Sequence, residues 1–372
     1  MKKKAMIGIG LLVVLVLAVS LAAGCKSAKK DTTQKAETVK PADNYVVQLG
    51  YYNCDHMVGA CVAKDAGIFD EMGLKVNVTG NGKVPQAMAA GQMDVGYIGT
   101  DGMMFAHMKG SPIFMAANNH IGGSYYLVAS NNIKDAKDLV GKKLALGTDA
   151  EKNDPWWVAF SKKLGIPADS KKYENFDMDL KNKFFALRAG QLDGFTTCDP
   201  YGSWAEYENL GHIVAGGKQT EGDIWGLCCC YSMREGFATE HPELASKMVL
   251  AHTKAIEYIY LHPVHSAKIF AKYYDVPEEV ALMTIYKKTG GEGRTLTWKI
   301  DKKEMQKFFD DVKEVPNYTN VEPMDKWINT SILDNCGAND FDTFIKTKVD
   351  SVFPTGMNYE DWKKKAYEVD PV

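Results

Sequence analysis

One eight-residue phrase occurs twice in this chain: AMAAGQMD at 87–94 returns as ALRAGQLD at 186–193, 99 residues later. Each copy closes a helix-period segment at a glycine, Gly91 or Gly190, the residue that most cheaply takes the left-handed turn ending a helix. Each copy then runs into a short apolar strand, 95–99 or 194–198. The agreement extends upstream. Residues 58–69 carry apolar side chains at 58, 61, 62, 66 and 69, one face of a helix, and stop near Gly73 before the alternating segment 74–78. In the second copy 156–164 stops at Gly165, with 173–176 beyond it. Strands alternating with helices predict parallel βαβ units. A period near 100 residues is too long for a solenoid and fits two similar α/β lobes.

The lobes are not expected to follow each other like beads. The strand-like stretch 125–130 leaves the first unit just before the second begins. A second stretch, 227–233, follows the second unit and precedes helices at 242–262, 264–274 and 277–289. Two crossovers bracketing the middle segment predict a clamshell. Residues 45–128 plus 233–372 form lobe one, and lobe two, 129–232, is inserted into it. Ligands of open α/β sheets bind beyond the carboxyl ends of the strands. Those ends are expected to face each other across the cleft.

The first residues read as an export signal. Met1, Lys2, Lys3 and Lys4 precede an apolar run over 5–23, then Gly24 and Cys25. Residues 1–24 form a lipoprotein-type signal peptide, with Cys25 the expected site of diacylglyceryl and palmitate attachment; the alternative is a plain transmembrane anchor. Either places the folded body outside the cytoplasmic membrane. Residues 25–44, rich in Lys, Ser, Thr and Ala, read as a flexible tether. The chain has 44 basic and 47 acidic residues, a net charge of −3, so no nucleic-acid partner is expected. Only three basic residues are arginine, Arg188, Arg234 and Arg294. A protein built around clamping anions is seldom this poor in it.

Several short motifs together resemble the extracytoplasmic substrate-binding proteins of ABC importers, in the group of nitrate, sulfonate, taurine and thiamine-pyrimidine binders. They are GY at 50–51, AGIF at 66–69 with MGL at 72–74, AGQMDVG at 90–96, LVGKKL at 139–144, AGQLD at 189–193 with DPY at 199–201, and EHPE at 240–243. The resemblance covers roughly 45–290. It implies a two-lobed periplasmic-binding-protein clamshell of the type II kind that captures a small molecule. Implied too are delivery to an ABC permease with its ATPase, action as a monomer, no cofactor and no catalysis. One stretch, GLCCCY at 226–231, resembles the cysteine motif of eukaryotic-type pyrimidine synthases of thiamine biosynthesis, which use pyridoxal phosphate and iron. The terminal cysteine of that motif is Ser232 here, and that family's Lys and His fall near Ile98 and Gly102. Without the amine no Schiff base forms.

The loops after the strand ends supply the expected ligand contacts: Tyr51, Tyr52, Cys54 and His56; Gly99, Thr100 and Asp101; Thr148 and Asp149; Trp156 and Trp157; Asp199 and Tyr201. Aromatic residues, Trp204 and Trp225 among them, gather at these positions, as in the walls of small-molecule pockets. For Asp101, Asp149 and Asp154 helix capping competes with ligand contact. The loops carry five aspartates, with Asp55 and Asp199, against Lys83 and Lys152. Aromatic walls with carboxylates suit a neutral or cationic nitrogenous ring, such as a thiamine pyrimidine precursor, through stacking and cation–π contact. Capture of a sulfonate, nitrate or taurine-type anion is the alternative. So is metal capture by Cys54, Asp55, His56, Cys198 and Cys228 to Cys230, with at most Cys228 and Cys230 on one strand face. Cys61 lies on a buried helix face. Exported cysteines tend to pair, yet seven beyond Cys25 leave at least one unpaired.

Overall fold

The computed structural model describes residues 44–371 except 53, 81, 123–124, 217–225 and 319–320. Cys25, the signal segment and Trp225 lie outside the described residues.

Ten strands form two five-stranded sheets of matching layout. The first contains β1 (Val47–Tyr51), β2 (Val76–Gly80), β3 (Val95–Gly99), β4 (Ile113–Ile121) and β10 (Leu227–Arg234), in the order β2-β1-β3-β10-β4. The second contains β5 (Tyr125–Ser130), β6 (Lys143–Ala145), β7 (Glu174–Asn175), β8 (Gly194–Cys198) and β9 (Gly211–Gly216), in the order β7-β6-β8-β5-β9. In each, three parallel strands are followed by one that runs against them and a fifth that runs with them. The chain passes to the second sheet before β5 and returns at β10. The boundaries expected at 128/129 and 232/233 therefore run inside β5 and β10. A strand pairs along its whole length, so the change of sheet falls before Tyr125 and before Leu227.

The repeated phrase does the same mechanical work twice. Gly91 and Gly190 take φ of 71° and 69° and end the helices Val84–Ala89 and Leu180–Arg188. Asp94 accepts a hydrogen bond from the Gln48 backbone at 2.9 Å, and Asp193 accepts one from Lys143 at 3.0 Å. Each aspartate thus ties the start of β3 or β8 to the start of its parallel neighbour, β1 or β6. Arg234 adds a 2.8 Å ion pair to Asp94. Gly96 lets the helix above settle on β3, since a Cβ there would lie 2.6 Å from Val84 Cγ1 and 2.7 Å from Met88 Sδ.

The first sheet is covered on one face by the helix Val58–Asp65 and the C-terminal helices Pro242–Leu261 and Pro263–Tyr274. Met88, Met103, Phe308 and Trp327 cover the other face. The helix Glu278–Tyr286 continues into a π turn, Lys287–Gly291. That turn reaches the second sheet: Tyr126 of β5 donates to Glu292 at 2.7 Å, and Lys287 lies 5.0 Å from the centre of the Tyr126 ring. Among the described residues, no helix is long and apolar enough to cross a membrane.

Candidate functional site

A cavity of about 800 Å³ lies where strand ends of both sheets converge, within the size range of small-molecule sites. From the first sheet come Tyr52, Cys54 and His56 after β1, Gly99 and Asp101 at the end of β3, and Cys228 and Cys229 of β10. From the second come Tyr125 of β5, Trp156, and Cys198 and Tyr201 at and after the end of β8. The two strand-end loops touch directly, the Asp55 N–H donating to the Asp199 carbonyl at 3.0 Å.

Seven of the thirteen residues expected at the ligand line this cavity: Tyr52, Cys54, His56, Gly99, Asp101, Trp156 and Tyr201. Six do not. Tyr51 and Tyr52 are consecutive at a strand end and point to opposite faces. Tyr51 is buried against Tyr274. Trp157 follows Trp156 on a helix and so points about 100° away. It is fully buried, edge-on to Tyr173, and donates to the Ala168 carbonyl at 2.7 Å. Thr100 is buried beneath the helix it opens. The Asp199 carboxylate is turned inward, accepting from Ser203 N at 2.7 Å and Ser203 Oγ at 2.9 Å. Thr148 and Asp149 leave β6 in another direction. Thr148 bonds Asp177, Asp149 pairs with Lys152, and both line a separate small recess. Trp204 stacks on Phe184 in the core.

The aspartates divide between the two expected roles. Asp154 caps the helix Pro155–Leu164, accepting from the Trp156 and Trp157 amides at 2.9 and 3.1 Å, and takes a 2.9 Å bond from the Tyr125 hydroxyl. Asp101 caps nothing; it accepts from the Tyr318 hydroxyl at 2.9 Å. Lys181 is the one lysine among the described residues lining the cavity and no arginine is among them; the His56 imidazole is the other basic group there.

The cavity floor is a sulfur and imidazole cluster. His56 Nδ1 lies 3.3 Å from Cys229 Sγ, 3.6 Å from Cys228 Sγ and 3.7 Å from Cys54 Sγ. The Cys228 and Cys229 sulfurs are 3.5 Å apart. Strict alternation would put Cys228 and Cys229 on opposite faces, as expected from the sequence. Instead, the pairing of β10 with β4 shifts register on both sides of Cys229, and such a bulge brings adjacent side chains to one side. Cys230 turns into the core beyond. All seven cysteines in the described residues are free thiols. The tendency of exported cysteines to pair is not realised here, because a disulfide needs sulfurs about 2.05 Å apart.

Behind this cluster is a charged layer, of which the sequence points to Asp55 and His56 but not to Lys288. His56 Nε2 faces the Asp55 carboxylate at 3.4 Å, and Lys288 Nζ reaches the same carboxylate at 2.8 Å. All three side chains are almost wholly buried. Burial pushes the Asp55 carboxyl up to about 7, against the pull of His56 and Lys288. Burial also disfavours charge on His56, yet Asp55, Cys228 and Cys54 outweigh it and raise its pKa well above the ordinary value. The Cys229 hydrogen bond draws the Cys228 thiol down to about 6, with His56 assisting. His120 stacks on His56 at 4.0 Å between ring centres, and burial and these cations keep it neutral. Asn119 donates to the His56 carbonyl at 2.6 Å. Lys288 sits in a run, KKTGG, whose local pattern predicts exposure; only packing buries it. Met178 to Lys181, which also line the cavity, follow β7, and the strand-end rule applied to that loop would have found them.

The NMT1-like family matches residues 40–273 of the chain. No curated protein compared with the chain matches it. Among solved structures, a ligand-binding component of an ABC-type import system from Staphylococcus aureus with zinc bound aligns at a TM-score of 0.64 and 16% identity. That alignment covers 79% of this chain and 99% of that one. The alkanesulfonate-binding protein SsuA from Xanthomonas axonopodis pv. citri, bound to MOPS, gives 0.61 and 15%, covering 76% and 96%. The periplasmic nitrate-binding protein NrtA from Synechocystis PCC 6803 gives 0.61 and 15%, covering 87% and 98%. The likeness at these identities is one of fold, that of the periplasmic binding proteins.

Proposed function

The chain belongs to the NMT1-like family, and on that premise we propose that it is the solute-binding component of an ABC importer. It captures a small molecule between two lobes and hands it to a membrane permease driven by an ATPase. In this reading lobe one is built on the first sheet and lobe two on the second. Cys25 carries the lipid anchor, the folded body works outside the cytoplasmic membrane as a monomer, and no reaction is catalysed.

One observation carries the reading: the convergence of strand ends from both sheets on the same 800 Å³ cavity. That is where open α/β sheets take ligands. The preferred solute is a neutral or cationic nitrogenous ring. Tyr52, Tyr125, Trp156 and Tyr201 offer faces or edges for stacking, and Asp101, Asp154 and Asp179 outnumber Lys181 and the His56 imidazole on the lining. A sulfonate or nitrate would find one lysine and no arginine among the described lining residues, a poor clamp for an anion. Thermal unfolding in the presence of aminopyrimidines and other nitrogen heterocycles, sulfonates and nitrate tests this. A ligand at 100 times its Kd adds about 2.7 kcal/mol of stability. Stabilisation by the heterocycles alone supports the ring reading. Stabilisation by sulfonate or nitrate overturns it in favour of anion capture.

A further inference from the structure

We propose that the floor of the cleft is a binding site for one thiophilic metal ion of the zinc type, held by His56 Nδ1 and the sulfurs of Cys228 and Cys229. The inference goes beyond solute capture and does not depend on it.

The spacing is the argument. A tetrahedral ion with Zn–S near 2.3 Å and Zn–N near 2.0–2.1 Å holds its ligand atoms about 3.5 Å apart for N and S, and about 3.8 Å apart for two sulfurs. His56 Nδ1, Cys228 Sγ and Cys229 Sγ form a triangle with sides of 3.6, 3.3 and 3.5 Å, close to one face of that tetrahedron. Cys54 Sγ stands 3.7 Å from the same nitrogen but outside ligand spacing of both other sulfurs, so the fourth position is left to water or a solute. The sulfurs are too far apart for a disulfide and closer than unrelated core thiols need be. This triangle exists because the register of β10 breaks around Cys229.

The surroundings suit the ligand role. Metal-bound imidazoles usually donate their other N–H to a carboxylate, which fixes the tautomer and aims the free lone pair at the ion. His56 presents Nε2 to Asp55 at 3.4 Å, and Lys288 holds Asp55 from behind at 2.8 Å. His120 stacks flat on His56, so the imidazole is held in one plane. Neither His120 nitrogen has a hydrogen-bond partner among the described residues. Soft sulfur with imidazole selects zinc, cadmium or cuprous ions over magnesium or calcium. The donors His56, Cys228 and Cys229 all line the cavity, so the ion has an entry path.

The test uses the full chain, purified in detergent, fully reduced and held under argon. Cobalt(II) alone is titrated in, followed by zinc alone as competitor. The expected result is one equivalent of cobalt with intense visible bands of tetrahedral type and a sulfur-to-cobalt charge-transfer band, both erased by zinc. Cys228→Ser and Cys229→Ser should each weaken cobalt binding by more than the about 10–100-fold that an outer-shell change causes. Cys336→Ser, at a thiol remote from the cluster, should leave it unchanged. Far-ultraviolet circular dichroism of each variant shows that it is folded. Should Cys228→Ser not fold, Cys228→Ala replaces it. Weak octahedral-type spectra, or tetrahedral binding that survives loss of both Cys228 and Cys229, would overturn the site. Solute stabilisation measured in chelator reads the cleft separately, so either proposal can fail alone.

Discussion

Replacing Lys288 by Met keeps most of the buried stem and removes the charge. In the native protein Lys288 is fully buried, its Nζ 2.8 Å from Asp55 and 3.9 Å from Glu292. Met leaves Asp55, also fully buried, with only His56 as a cationic neighbour at 3.4 Å. Stranding one member of a buried ion pair costs about 3–5 kcal/mol. That is a large share of the roughly 5–15 kcal/mol that holds a domain folded. The sign with pH follows from Asp55. Its carboxyl already stands at about 7, above its ordinary value near 3.8. The native state therefore binds more protons than the unfolded chain between those values, and stability from this group falls as pH rises through that window. Loss of Lys288 removes a pull that lowers the Asp55 pKa, so the deficit of Lys288→Met is largest near pH 8 and shrinks near pH 5.5. Urea unfolding followed by tryptophan fluorescence, extrapolated linearly at both pH values, measures it. The double variant Asp55→Asn with Lys288→Met should recover most of the loss, since neither charge remains to be stranded. A Lys288→Met protein within 1 kcal/mol of wild type at pH 8 would refute the buried ion pair.

Three further outcomes are expected. His252, buried and pushed down to about 4 by that burial, accepts or donates at both nitrogens, to Tyr97 and the Asn118 carbonyl. Its contribution is complete above its ordinary pKa near 6.5 and is lost as pH falls through 4, about 3 kcal/mol in all; His252→Gln should flatten that acid limb in urea titrations. Trp156→Ala should weaken binding of a ring solute by roughly 1–3 kcal/mol with little change in folding, whereas Trp157→Ala should cost about 3–5 kcal/mol of stability; calorimetric binding and denaturation of the pair separate the cavity wall from the core. Cys25→Ser should move the protein from the detergent phase to the aqueous phase without unfolding it, and retention in detergent would sink the lipid anchor.

Much of the architecture is written locally. Two copies of one phrase, each ending a helix at glycine and opening a strand with aspartate, demand two similar α/β units, because the periods of apolar residues and the left-handed glycines are properties of short segments. The aspartates then prove equivalent in three dimensions, tying β3 to β1 through Gln48 and β8 to β6 through Lys143. Strand ends likewise point to a shared cavity, and seven expected residues line it. What failed was the direction of single side chains. Tyr51 against Tyr52 and Trp156 against Trp157 are decided by one step of a strand or a helix, about 180° or 100°, and a boundary error of one residue reverses them. Asp199 and Thr148 are turned by hydrogen bonds to Ser203 and Asp177, which no local pattern announces.

The amino-acid sequence by itself therefore determined the duplicated α/β plan, the meeting of strand ends and the scarcity of arginine, since each depends only on residue type and spacing. Tertiary structure alone decided the chemistry of the cleft floor. Cys54 and His56 lie more than 170 residues from Cys228 and Cys229, and the bulge that turns adjacent cysteines together exists only where β10 pairs with β4. The buried Lys288 reaches Asp55 from a π turn more than 230 positions away. Contacts of that range are closed by packing of whole elements, and no short stretch of the chain encodes them.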